Sequence, residues 1–182
     1  MPNIVAFTGY SCTGKSLICS VLASELDVPV LSERRIIKDL SNERGYTRIR
    51  EWLFSEGTNA ILSSAREWTL YSIRRIKSDL IFLDGLYDWQ LPMYLTAHLA
   101  TLGIRIIKVE AADDLRLARM QKRHLNISYD DAVFDLRMID LFKSISGVDV
   151  VMKEADCEVR NDAAVETAIR VVRDYLYHQG LF

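Results

Sequence analysis

The chain has 182 residues, 49% hydrophobic and 26% charged, with a formal net charge of −2 and a pI of about 5.9. That is the size and balance of a single soluble domain, residues 1–182, with no apolar run long enough for a membrane span and no general basic surface for nucleic acid. Cys12, Cys19 and Cys157 are odd in number and form no C-x-x-C pair, which argues against a disulfide framework and a zinc site.

Nothing in Met1–Ala6 reads as a signal peptide, so a cytoplasmic location is expected. Asn3–Thr8 is a short apolar run expected to be a buried strand. A loop follows over Gly9–Gly14. Lys15–Leu26 places Leu17, Ile18, Val21, Leu22 and Leu26 at helical spacing. Val28–Leu31 reads as a second strand, Arg35–Leu40 as a helix and Ser41–Tyr46 as a loop. Thr47–Phe54 and Asn59–Lys77 read as helices broken near Gly57. A third strand covers Asp79–Leu83 and ends at Asp84-Gly85. Leu91–Leu102 is expected to be helical, Ile104–Val109 a fourth strand, and Asp113–His124 and Asp130–Lys143 helices. Cys157–Arg160 is a fifth strand and Ala163–Tyr177 a closing helix. Alternating strands and helices imply a three-layer α/β/α fold around a mostly parallel five-stranded sheet, with residues 113–143 as a helical lid. Ligands then bind beyond the carboxyl ends of the strands, where Gly9 and Asp84 both fall.

Gly9-Tyr-Ser-Cys-Thr-Gly14-Lys15-Ser16 matches G-x-x-x-x-G-K-[ST] at every fixed position, between an apolar strand and an amphipathic helix. Gly9 and Gly14 let the backbone turn closely, and the amides of Ser11, Cys12, Thr13, Gly14, Lys15, Ser16 and Leu17 lie at a helix N-terminus, where they cradle phosphate. Lys15 is expected to reach the β- and γ-phosphates of ATP, and Ser16 to give one oxygen to Mg²⁺. Cys12 is read as a small loop residue, with a redox-sensitive thiol as the lesser alternative.

Asp84 is the expected partner of Ser16 at the metal, or the acceptor of the substrate proton; a plain Asp-Gly turn is the alternative. Glu33 follows the second strand and is weighed as base or anchor against a simple helix start at Ser32-Glu33. Arg34 and Arg35 suit an anionic acceptor, and Asp88 is a weaker acceptor-side candidate with a plain loop role beside it. Arg116, Arg119 and Arg123 recur at steps of three and four on one helix face. They could surround the migrating phosphoryl group, Arg119 and Arg123 ahead of Arg116, with Arg137 less firmly included; a solvated face paired with Asp113 and Asp114 is the alternative. His98, His124 and His178 have no ligand spacing. Trp52, Trp68 and Trp89 read as packing residues, with Tyr87 and Trp89 a lesser option for the acceptor wall.

Gly9–Ser16, Leu83-Asp84-Gly85, the Arg116/Arg119/Arg123 helix, Gly147-Val148 and Ala155-Asp156-Cys157-Glu158-Val159-Arg160-Asn161 together resemble the nucleoside-phosphate kinase group of P-loop proteins. The group includes adenylate kinase-like enzymes, archaeal-type adenylate kinase-related proteins and dephospho-coenzyme A kinase. The resemblance implies that Arg160, Asn161 and Asp162 lie beside the nucleotide base. The chain departs from it at Ser32-Glu33, at Leu86-Tyr87-Asp88 and at Arg137-Met138, positions that serve the acceptor or the lid. The expected activity is therefore γ-phosphoryl transfer from ATP·Mg²⁺ to a nucleotide, nucleoside or nucleotide-like small acceptor. The alternatives are a triphosphate-hydrolysing switch acting on a protein partner, a kinase of DNA bases or ends suggested by Arg34, Arg35, Lys38, Arg44, Arg48 and Arg50, and a non-catalytic nucleotide binder. The sequence leaves the oligomeric state open.

Overall fold

The computed structural model describes residues 3–46, 52, 55–99, 101–123 and 127–182. Among them are five strands: β1 Asn3–Thr8, β2 Val30–Ser32, β3 Leu80–Asp84, β4 Gly103–Glu110 and β5 Cys157–Arg160. Eight α-helices accompany them: α1 Lys15–Leu26, α2 Glu33–Glu43, α3 Thr58–Arg75, α4 Leu91–His98, α5 Asp113–Arg123, α6 Tyr129–Ser146, α7 Val148–Lys153 and α8 Val165–His178. The strand order is β2-β3-β1-β4-β5, and every pairing is parallel.

The central strand shows why three layers form. Successive side chains of β1 point to opposite faces, and both faces are apolar. Val5 and Phe7, with Phe82 of β3, pack on Ile18 and Leu22 of α1 and on Ile169, Val172 and Leu176 of α8. Ile4 and Ala6, with Ile81 and Leu83, pack on Leu70 and Ile73 of α3, Leu91 and Leu95 of α4 and Val151 of α7. A third cluster joins Ile36, Ile37 and Leu40 of α2 to Trp52, Ile61, Ala65, Tyr87 and Val148.

Register brings the chemistry together. Phe7 and Ser32 both stand opposite Asp84, and the Gly85 and Leu86 amides donate to the Phe7 carbonyl. The carboxyl ends of β1, β2 and β3 thus open at one level, beneath the glycine-rich loop.

Several boundaries differ from those expected. The second strand begins at Val30 rather than Val28, and α2 starts directly at Glu33 and runs to Glu43. Its extension over the expected Ser41–Tyr46 loop follows burial of Leu40 and Ser41, with the Ser41 hydroxyl on the Tyr46 carbonyl. The fourth helix stops at His98, short of Leu102, and α6 runs three residues past Lys143 to Ser146. Helix α7 was not expected at all. The helix expected over 47–54 lies outside the described residues except for Trp52, as do Arg48, Arg50 and His124. No described helix is long and apolar enough to cross a membrane.

Candidate active site at the carboxyl edge of the sheet

The loop between β1 and α1 is held by two glycines that no other residue could replace without strain. Gly9 has φ 133°, and a Cβ there would lie 2.3 Å from the Val109 carbonyl of β4. Gly14 has φ 96°, and its Cβ would lie 2.2 Å from Asn161 Nδ2. Between them Cys12 also takes a left-handed conformation, φ 61°. Lys15, only 8% exposed, turns back to donate to the Tyr10 carbonyl at 3.1 Å. Burial pulls its ammonium below the usual lysine range, and the nearby Asp84 opposes that shift.

The Ser16 hydroxyl donates to Asp84 Oδ1 at 2.9 Å. Ser16 is exposed, and Asp84 half-buried, so this oxygen pair faces the mouth of the crevice. A hydroxyl and a carboxylate side by side fit Mg²⁺, which takes few protein ligands and fills its shell with water and phosphate oxygens. Among the described residues no group of three or more His, Cys, Asp and Glu offers a separate metal site.

Helices α5 and α6 close over the loop and hold its backbone at Gly9, Ser11, Cys12 and Thr13. Lys143 Nζ donates to the Gly9 carbonyl at 3.3 Å. Lys15 and the Thr13 hydroxyl both reach the Tyr10 carbonyl. Asp140 accepts from the Ser11 amide at 3.0 Å, while Arg116 Nε donates to the Ser11 carbonyl at 2.8 Å and its other nitrogens pair with Asp113 and Asp140. Arg119 Nη1 donates to the Cys12 and Thr13 carbonyls, both at 3.2 Å, and Nη2 to the Asn161 carbonyl at 2.8 Å. Asn161 Nδ2 completes the set on the Thr13 carbonyl at 2.8 Å. Cys12 is buried against Met120, Ala132 and Leu136. Asp140 thus takes the Ser11 amide out of the expected phosphate cradle, while cations on the loop carbonyls favour an anion at the amides that follow it.

The arginines therefore differ from their sequence ranking. Arg116, placed last of the three, is buried and most engaged. Arg119 holds loop carbonyls, Arg123 stands exposed on the last turn of α5, and Arg137 is exposed in the middle of α6. Asn161, which the resemblance puts beside the nucleotide base, has its side chain under the loop. Arg160 and Asp162 pair with each other at 3.0 Å, and Asp162 Oδ1 accepts from the Ala112 amide.

At the end of the second strand, where the sequence suggested an acceptor site, Glu33 is 1% exposed and accepts from the Tyr87 amide at 3.1 Å. Burial, then the charge of Asp88, hold its carboxyl well above the usual range, against the Tyr87 amide, Lys143 and Arg66. Asp88 is equally buried and is not a free acceptor-side carboxylate: Arg66 grips it with Nε–Oδ2 at 2.5 Å and Nη2–Oδ1 at 3.1 Å, and the Gln90 amide donates to Oδ1. Arg34 and Arg35 are exposed and, with Ser32, Lys38 and Asp39, line a shallow hollow at the crevice edge. Trp89 packs on Gly147, where a Cβ would meet Trp89 Cδ1 at 2.3 Å, and so belongs to the α6–α7 joint.

A carboxyl raised on folding contributes stability below the unfolded value of 4.5, and loses that contribution as pH rises through the folded value. Glu33→Gln keeps an oxygen for the Tyr87 amide and removes the titration. Relative to wild type, the variant is expected to melt higher at about pH 8 than at about pH 5. An unchanged difference between the two pH values would show that Glu33 ionises freely.

Four engaged residues escaped the sequence reading: Lys143, Asp140, Arg66 and Tyr10. Only Lys143 left a trace, because it falls on the same buried face of α6 as Ala132 and Leu136.

No family profile matches the chain, and no curated protein matches it. Solved structures do. A Thermus thermophilus protein is 18% identical with a TM-score of 0.65, over 98% of this chain and 97% of that one. The shikimate kinase of Aquifex aeolicus is 17% identical with a TM-score of 0.60, covering 98% of both chains. The shikimate kinase of Bacteroides thetaiotaomicron is 16% identical with a TM-score of 0.64, over 96% and 98%. The chain has the α/β P-loop fold that these structures share, and at such identities the likeness extends to the fold alone.

Proposed function

We propose that the protein is an ATP-dependent small-molecule kinase. The observation that carries this reading is the Ser16–Asp84 contact beside Lys15, at the point where the loop amides converge. Lys15 and the amides from Cys12 to Ser16 hold the triphosphate; the Ser11 amide is taken by Asp140 and that of Leu17 by the Gly14 carbonyl. Mg²⁺, when bound at Ser16 and Asp84, neutralises charge on the β- and γ-phosphates. An acceptor hydroxyl oxygen attacks the γ-phosphorus, the bond from that phosphorus to the β,γ-bridging oxygen breaks, and ADP leaves with that oxygen. The hydroxyl proton passes to Asp84 or to water. Asp84 is the better base than Glu33, because it reaches the crevice mouth while Glu33 is covered by Tyr87.

The acceptor is a nucleotide, nucleoside or nucleotide-like compound, or a hydroxylated carboxylic acid. The last class enters because several structures of this fold are shikimate kinases, one of them in complex with shikimate. A screen of these classes with γ-labelled ATP, using wild type and Asp84→Asn, tests the proposal. One class is expected to take up label, and the variant to lose about 10²–10³ in rate. Equal labelling by both proteins would remove Asp84 from the chemistry. ATP turnover indifferent to every acceptor would overturn the kinase reading in favour of a switch.

A further inference from the structure

We propose that Lys143 of α6 is a second catalytic lysine, one that binds the γ-phosphoryl group opposite Lys15 and follows it toward the acceptor. The inference rests on the kinase reading and adds a residue to it.

Position is the first argument. Lys143 Nζ lies on the Gly9 carbonyl and Lys15 Nζ on the next carbonyl, Tyr10, so the two ammonium groups are neighbours at the same end of the loop. On its other side Lys143 sits 5.8 Å from the centre of the Tyr87 ring, whose amide holds Glu33. Lys143 thus stands between the phosphate loop and the acceptor-side residues, the path a transferred group must cross. The arginines of α5 lie further along the loop, Arg116 on the Ser11 carbonyl and Arg119 on those of Cys12 and Thr13, and Arg123 is exposed.

Charge is the second argument. Lys15, Lys143 and Arg116 are all nine-tenths buried or more; of the carboxylates near them, Asp140 is held by Arg116 and the Ser11 amide, Asp84 by the Ser16 hydroxyl, and Asp113 is exposed beside Arg116. Burial and the neighbouring Lys15 hold Lys143 well below the usual lysine range, with Asp140 opposing. Two adjacent buried ammonium groups repel each other and lack the anion that would satisfy both. A polyphosphate terminus supplies that anion, and positive charge there is worth most as charge spreads over the phosphoryl oxygens in transit. A purely structural brace on the Gly9 carbonyl would not call for a cation beside Lys15; a neutral donor would serve.

The test separates γ-phosphate contact from loop bracing and needs no identified acceptor. Affinities for Mg²⁺ with ADP and with a non-hydrolysable ATP analogue are measured by calorimetry on wild type, Lys143→Met, Lys143→Gln and Lys143→Arg, with thermal melts alongside. Wild type is expected to prefer the triphosphate. The Met and Gln variants are expected to lose about tenfold or more of triphosphate affinity, to hold ADP within about twofold, and to melt no lower than wild type. Arg is expected to keep most of the preference. Equal weakening toward both nucleotides, or no weakening, would overturn the inference, as would a wild type that binds both nucleotides equally. A wild type that binds neither would overturn the kinase reading itself. Should Met and Gln fail to fold, loss of the preference in the folded Arg variant would overturn the inference, and its retention would support it.

Discussion

Lys15→Met is expected to lower phosphoryl transfer by about 10²–10³ and to leave the protein at least as stable as wild type. The two halves of that result have one cause. The ammonium group is buried beside a second buried lysine, and its interactions are a backbone carbonyl and the nearby Asp84. Without phosphate the folded state pays for that charge, so methionine, similar in length and apolar, relieves it. Phosphate reverses the sign, because the same ammonium then neutralises a charge the amides alone cannot. The pH dependence follows. A lysine held below its unfolded value of 10.5 costs stability at lower pH, and the cost fades as pH rises toward that value. Wild-type stability should therefore rise from neutral toward alkaline pH more steeply than that of the variant. Transfer of label from γ-labelled ATP and melts across pH check both halves. A variant that transfers phosphoryl within about threefold of wild type would remove Lys15 from the chemistry.

What the sequence disclosed was what is local. The phosphate loop is a contiguous string between a strand and a helix, so its glycines, Lys15 and Ser16 could be read directly. Asp84 followed from strand counting, because a parallel sheet puts the ends of β1 and β3 at one level. Cys157–Arg160 kept its bounds as β5. What was lost depends on packing across the chain. Nothing near Arg66 announces Asp88, 22 residues on, and a lysine on a helix is ordinarily a solvated charge. Lys143 is buried only because α6 lies on the loop, 134 residues away in sequence. Ser41 and Asn42 look like a break, yet α2 continues because Leu40 and Ser41 are buried. Helix α7 has six residues directly after Gly147, too few to show a period. The arginine face was legible, but its role was not, because the sequence does not say whether a guanidinium meets a ligand or a loop carbonyl.

The largest expected effect on stability lies at the buried Arg66–Asp88 pair. Arg66→Met should cost about 3–5 kcal/mol, a fall in melting temperature of roughly 6–20 °C for a chain of this size. The pair is bidentate, Asp88 is almost wholly inaccessible, and Glu33 is a second carboxyl close enough to feel its charge. Among the described residues, removing Arg66 leaves the Asp88 carboxylate with the Gln90 amide as its hydrogen-bond donor, at the turn that starts α4. Met fills the space of the arginine stem, so a cavity is not the cause. If the orphaned charge is the cause, Asp88→Asn added to Arg66→Met should recover most of the loss, because the amide keeps an acceptor for Gln90 and buries no ion. A double variant no more stable than Arg66→Met alone would mean that Arg66 acts through its packing on α3. In that case the Arg66–Asp88 pair would not be what fixes the turn between β3 and α4.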